Sequence, residues 1–408
     1  MDKSRAFLQG RQFDYLADHD RYLTRGETPQ LRFAFVGCGM MGQEHILNTL
    51  LEGRAGVAGI YDPSAESVSH TLKMLQRHLP NQKVTVYNTL AEAVADSAVD
   101  ALVVSSPNHT HLEVVRQVVG CGKGLFVEKP IATTLADAME IHRLLATHNG
   151  YVQIGLQYRY KTVYREALRE IANGQLGRVH SVQLLEHRFP FLDKVGQWNK
   201  FNANTGGTLV EKCCHYFDLI NLFAGGVPQQ VFAMGSQAVN FTEFERDGRA
   251  ADGMDQANVL IRYDNGVLGN FSLNMFTHGS REELIICGDS ARLHTVESSR
   301  LGSSNENRVS LWAGDGALSR ESQPSYPPYV ENAGHHGSTF YEHVVLADAL
   351  LGVNTQELAP SSTTDAVWSV AVASAAQLSI ERAAPVELAE VVPDELEPMQ
   401  FHLSQPAE

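Results

Sequence analysis

Cysteine is scarce: five in 408 residues, at Cys38, Cys121, Cys213, Cys214 and Cys287. The number is odd, and the one close pair is adjacent in sequence, which excludes a disulfide framework. No CxxC or Cys/His spacing offers a zinc site, and no metal is expected. Free thiols fit a reducing compartment, so the cytoplasm is the expected location. Long apolar runs are also missing. None approaches the ~20 residues of a membrane span, and the opening stretch MDKSRAFLQGRQFDYL has no apolar signal core. Cations are in the minority, 32 Lys and Arg against 47 Asp and Glu, for a net charge of −15. Such a chain repels phosphate backbones, which argues against nucleic acid as a partner. An anionic small molecule stays admissible, because local cations can outweigh the global charge.

What is present is enough apolar sequence for more than one core, and the length predicts two domains. Residues 1–30 are polar and read as an arm, with helical character around 11–22. Across 31–157 the pattern alternates β and α. Strand-length apolar runs occur at 31–37, 57–62, 83–87, 100–106, 124–128 and 151–155, with amphipathic stretches at 43–51, 65–78, 111–119 and 134–147. Continuous apolar strands separated by helices imply a parallel sheet covered on both faces, a Rossmann-type α/β domain. The grammar changes over 158–408. A helix at 160–172 precedes longer alternating strands at 178–188 and 229–239, a pair turning at Asp264-Asn265-Gly266 and another at Gly288-Asp289-Ser290. This predicts a second α/β domain with an open, largely antiparallel sheet. Residues 298–332 are polar and read as a long surface loop with one strand at 309–312. Helices are expected at 338–351 and 363–382. No internal repeat is found.

Gly37-Cys38-Gly39-Met40-Met41-Gly42 is GxGxxG, following a strand, opening a helix, and followed twenty residues later by Asp62. That context, more than the motif itself, predicts dinucleotide binding. The glycines remove Cβ atoms where a pyrophosphate must approach, and the helix N-terminus supplies free N–H groups. Asp62 can accept the adenosine ribose hydroxyls. Its charge repels a 2′-phosphate and no Arg follows it, which favours NAD over NADP. Ser106, Pro107, Asn108 and His111, in Ser105-Ser106-Pro107-Asn108-His109-Thr110-His111, lie at the carboxyl end of the fourth strand, where open α/β sheets bind ligands. Glu128-Lys129-Pro130 ends the fifth strand on the same edge. A lysine there can stabilise an alkoxide or polarise a carbonyl.

With these motifs, in this order and on these elements, the chain resembles the Gfo/Idh/MocA oxidoreductases over roughly residues 31–385. The resemblance implies Glu128 and Lys129 at the cofactor. It extends to Gly206-Gly207-Thr208-Leu209-Val210-Glu211-Lys212-Cys213-Cys214-His215, matching a family motif of a glycine pair, Asp, and His four residues on. It implies that His215 exchanges the substrate hydroxyl proton and that Lys129 assists. A spacing of four puts Glu211 and His215 on one helical face, where the carboxylate would orient the imidazole. The family's usual residue is Asp, so Glu211 could instead reach Lys129 or substrate. Cys213 and Cys214 read as core packing.

Softer substrate contacts are Tyr158 and Arg159 after the last Rossmann strand, Trp198 and Lys200 before the Gly-Gly segment, and His336. The resemblance implies a sugar, sugar derivative or inositol as substrate, oxidised at a secondary hydroxyl. It also implies a homodimer or homotetramer. An alternative is an NAD-dependent glycoside hydrolase using transient C3 oxidation, elimination and re-reduction, with the cationic and aromatic segment 188–200 holding a sulfonated or carboxylated sugar. A third reading is a non-catalytic NAD-binding sensor, against which the intact Lys129 and His215 argue.

Overall fold

The computed structural model describes residues 29–79, 83–190, 194–299, 306–314, 317–353, 360–393 and 396–399. The helix expected around 11–22 lies outside these residues. The first half forms six strands: β1 (Leu31–Val36), β2 (Ala55–Tyr61), β3 (Thr85–Val86), β4 (Ala101–Val104), β5 (Gly124–Glu128) and β6 (Val152–Gly155). They form one parallel sheet in the order β3-β2-β1-β4-β5-β6. The order reverses beside β1, the place where such sheets open a ligand crevice. β4 and β5 are buried throughout, which is why they read as unbroken apolar runs. Helices Ala65–His78 and Leu135–Ala146 start where Ser64 and Thr134 accept the backbone N–H of Ser67 and Asp137. A further helix, Leu90–Ala95, has six residues, too few to show a period in sequence.

Among the described residues the second sheet has nine strands. β7 (Val179–His187), β8 (Pro228–Ser236), β11 (Gln256–Tyr263), β12 (Leu268–Asn274), β13 (Ser280–Gly288) and β14 (Ala291–Ser299) form its body, and β17 (Val386–Glu387) closes one edge. β9 (Glu245–Arg246) and β10 (Arg249–Ala250) make a separate small ribbon. All neighbours in the large sheet are antiparallel except β7 with β12. Helices Cys214–Ala224 and Thr363–Arg382 cover one face.

In the polar stretch at 298–332 the strand expected at 309–312 is present but longer, and more of the stretch is ordered than a loop would be. It contains β15 (Glu306–Ala313), β16 (Ala317–Ser322) and the short helix Pro328–Glu331. These strands extend the sheet at its edge, where polar residues are tolerated and the sequence looks like loop. Helix Ser338–Leu351 also crosses back. Its Leu346 and Ala347 join Phe33, Phe35 and Phe126 in a core on the first sheet, while a larger core runs through both halves. This return places residues from the late part of the chain beside the Gly-rich helix Met40–Glu52. No helix among the described residues is long and apolar enough to cross a membrane.

Candidate active site

At the Gly-rich turn, a Cβ on Gly37 would meet Ser105 and Ser106 backbone at 2.7 Å, and one on Gly42 would sit 2.1 Å from the Gly37 carbonyl. A Cβ on Gly39 meets nothing within 4 Å. Two glycines therefore close the turn and the third leaves open space at the N-terminus of helix Met40–Glu52, whose first turn carries no capping side chain. Met40 is exposed there and Met41 half-buried. Asp62 sits at the end of β2, its Oδ2 accepting Cys38 N–H and its Oδ1 Ser64 N–H, both at 2.7 Å. It locks the Gly-rich turn to β2 and retains lone pairs for hydroxyl donors. Ser106 and Pro107 are at the opening, and Asn108 is buried with its amide nitrogen unpartnered. This cradle fits a dinucleotide.

His111 does not face that opening. It is fully buried, with Nδ1 2.9 Å from the Pro130 carbonyl and Nε2 3.0 Å from that of Ser106. It braces the two loops from behind. The Glu128 side chain likewise turns inward: Oε1 meets His45 Nε2 at 2.8 Å and Oε2 accepts the Lys129 N–H at 2.8 Å.

Lys129 Nζ donates to the Glu211 carbonyl at 3.1 Å. Burial opposes its charge, but Cys214, Glu128 and Glu211 around it raise its pKa above the ordinary lysine value. The helix expected to carry both Glu211 and His215 is broken at Lys212 and Cys213, into Thr208–Glu211 and Cys214–Ala224. The Glu211 carboxylate therefore turns to Lys194, 2.9 Å away, and not to the imidazole. His215 is buried, its Nδ1 lacks a partner, and its ring lies flat on Tyr158 with centroids 4.0 Å apart. Burial, then the charges of Lys129 and Lys212, push its pKa well below the ordinary histidine value. Both effects favour the neutral imidazole over the charged one.

Tyr158 is held from two sides, with Lys212 Nζ 2.6 Å from its hydroxyl and Lys161 Nζ 4.1 Å from its ring centre. Arg159, expected to meet substrate, is instead consumed by a bidentate pair with Asp218 and a contact to Asp365 at 3.2 Å. Trp198 packs under Lys194 at 4.5 Å and edge-on to His109. Lys200 lies between Phe241 and Phe244, 4.4 and 4.1 Å from their centres. His336 approaches Glu297 at 3.7 Å, and His335 meets Glu44 at 2.7 Å. The two histidines have φ of 55° and 42°, so this turn spans from the second sheet to the Gly-rich helix in a strained backbone.

Sequence reading missed the charged floor. Glu186, Glu282 and Glu297 face one another in register on β7, β13 and β14. Lys161 Nζ binds both oxygens of Glu282 at 2.8 Å and Glu297 at 2.7 Å, while Lys212 reaches Glu186 at 3.2 Å. Register is a tertiary property, and no local motif announced this row. Lys212 stood in plain view inside the Glu211–His215 spacing.

A dinucleotide cradle, a buried lysine and a buried imidazole define a nucleotide-dependent oxidoreductase. The chain belongs to the GFO_IDH_MocA family. Residues 31–156 match its "oxidoreductase family, NAD-binding Rossmann fold" and residues 169–388 its "C-terminal alpha/beta domain". It is 27% identical over 241 residues to myo-inositol 2-dehydrogenase of Thermotoga maritima, covering 59% of this chain and 67% of that one. It is 23% identical over 244 residues to the rhizopine catabolism protein MocA of Rhizobium meliloti, covering 60% and 71%. In fold it matches the crystal structure of a putative myo-inositol dehydrogenase from Sinorhizobium meliloti, with a TM-score of 0.70 and 20% identity over 88% of this chain and all of that one.

Proposed function

We propose that this NAD-binding oxidoreductase removes hydride and proton from a secondary hydroxyl of a sugar, sugar derivative or inositol, giving the ketone. The observation that carries the reading is the buried His215 imidazole, with an unpartnered Nδ1, in the field of Lys129. His215 takes the hydroxyl proton. The Lys129 ammonium stabilises the alkoxide that develops as the proton leaves. NAD, when bound, supplies the hydride acceptor. Its pyrophosphate would be held at Gly37, Gly39 and Gly42 and its adenosine ribose at Asp62. Tyr158 packs against His215 and fixes the plane of the ring. Glu211 acts through Lys129 and Lys194, its carbonyl steering one and its carboxylate the other. The names of the relatives, inositol dehydrogenases among them, support a polyol as substrate. We infer in addition that the chain works as a homo-oligomer.

The test is to incubate the protein with NAD and a panel of inositols, free sugars and aryl glycosides, following NADH absorbance and released aglycone together. NADH accumulating in proportion to a polyol supports the reading. NAD-dependent aglycone release without net NADH would replace it with redox-assisted glycoside cleavage.

A further inference from the structure

A base that takes the substrate proton holds a positive charge for as long as it keeps it, and the surroundings of His215 oppose one. The largest charges acting on the ring come from Lys129 at the end of β5, Lys212 in the break between the two helical segments, the imidazole of His335 in the turn before helix Ser338–Leu351, and Lys161. All four are of positive sign. The carboxylate expected to balance the imidazolium, Glu211, is held by Lys194 at 2.9 Å. The carboxylates of the charged floor are engaged too, Glu186 by Lys212 at 3.2 Å, and Glu282 and Glu297 by Lys161 at 2.8 and 2.7 Å. Asp218, on the helix of His215 itself, is held by Arg159. The imidazole Nδ1 has no hydrogen-bond partner among the described residues.

What does face the imidazole is Tyr158. The two rings are 4.0 Å apart between centroids and 3° from parallel, the closest and flattest ring pair among the described residues. The imidazole fills one face of the phenol, so Lys161, with Nζ 4.1 Å from the ring centre, stands over the other, its charge already matched by two carboxylates. Lys212 pins the hydroxyl end at 2.6 Å. Tyr158 is buried, so water does not compete for the stack. The face of an aromatic ring carries the negative lobe of its quadrupole and attracts a cation, more strongly where both are desolvated.

We propose that the face of Tyr158 supplies, for the protonated His215, the negative potential that Glu211 does not. When the substrate O–H bond breaks and its proton passes to the imidazole, the stack changes from a contact between neutral rings to a cation–π contact. Tyr158 then stabilises the state after proton transfer more than the state before it, and this is what lowers a barrier. It is a positioning residue that acts through His215. The proposal rests on the reading of His215 as the base, and not on the identity of the polyol.

Tyr158→Phe and its mono-, di- and trifluorinated analogues test this, because fluorine withdraws charge from the ring face with little change in size. Each is assayed with NAD and whichever inositol, free sugar or aryl glycoside the wild-type chain turns over fastest, and the rate of NADH formation in a single turnover is followed. That rate is expected to fall stepwise with fluorine count, about tenfold from Phe to the trifluorinated ring, the scale of a buried cation–π contact, with NAD affinity within about twofold. Tyr158→Leu, which has no π face, is expected at or below the bottom of the series. A rate independent of fluorine count overturns the proposal and leaves His215 as the base. NAD affinity falling in step with the rate would make Tyr158 a cofactor contact and overturns it as well. A His215→Ala chain as fast as the wild type, or a wild-type chain that turns over none of these compounds, overturns the reading of His215 and this proposal together.

Discussion

His215 is defined by what surrounds it more than by its position in a motif. A histidine that must accept a proton has to be neutral, and burial with Lys129 and Lys212 nearby enforces that. The acid limb of kcat/KM in the oxidative direction should therefore lie below the ordinary histidine range, and the rate should be flat around neutral pH. Lys212→Met removes one facing cation, so the imidazole pKa rises and the limb moves to higher pH. A pH profile of the variant that superimposes on the wild type would remove Lys212 from the electrostatics of the site. His215→Ala should cut turnover by ~10²–10⁴ while leaving NAD affinity near wild type, the range for loss of a general acid–base group. Steady-state kinetics and fluorescence titration of NAD separate the two effects. The glycines divide in the same manner. Gly42→Ala drives a Cβ into the Gly37 carbonyl and should lower stability by about 1–3 kcal/mol, read by urea denaturation. Gly39→Ala finds open space within the protein. It should leave the melt unchanged and weaken NAD, because the added methyl occupies the approach of the pyrophosphate.

Strands and helices were legible where the pattern is local. β1, β2 and β5, helix Ala65–His78, and helices Ser338–Leu351 and Thr363–Arg382 stand where periodicity and punctuation put them. β15 was legible only in part, as the strand expected at 309–312, and β16 not at all, since strands at a sheet edge need no apolar alternation. The break between Glu211 and His215 was hidden for another reason: a spacing of four says helix, and only the tertiary contacts of Lys194 and Lys129 draw Glu211 away. Arg159 and His111 show the converse. Polar residues beside a ligand edge read as ligands, yet Asp218 and the two loop carbonyls claim them first. The charged row on β7, β13 and β14 belongs to the sheet. Like charges opposite one another repel, and Lys161 is what makes the row tolerable. Burial would raise the Glu282 carboxyl, but Lys161 and Lys212 draw its pKa down to about 2. Lys161→Met leaves the buried Glu297 and half-buried Glu282 without that cation and should cost ~3–5 kcal/mol at neutral pH. The folded-state pKa of Glu282 would then rise, so the penalty should shrink as pH falls and the carboxyl protonates. Urea melts at pH 7.5 and 5.5 check this, and a loss that is the same at both would assign the effect to packing.

At the scale of the whole molecule, the two sheets are put to different uses. The first is covered on both faces. Among the described residues the second is covered on one, by helices Cys214–Ala224 and Thr363–Arg382. Its other face carries Met234, Leu260 and Leu268, which are 70%, 52% and 58% exposed on β8, β11 and β12. Leu260 pairs across the strands with Phe232 on one side and Asn270 on the other, and Leu268 lies opposite Arg262. Register brings all three onto one wall, with Asn258, Asn270 and Arg262 interspersed, more than a lone surface leucine. A second copy presenting the same wall would bury it symmetrically. The interface would lie away from Lys129 and His215, so association and chemistry should separate. Replacing Met234 and Leu260 together by Glu sets two like charges on each copy against their own images. Light scattering should then report a smaller particle than the wild type at the same concentration, while NAD affinity per chain stays unchanged. An unaltered mass for the double variant, or a wild-type chain that is already monomeric, would leave the open face without this role.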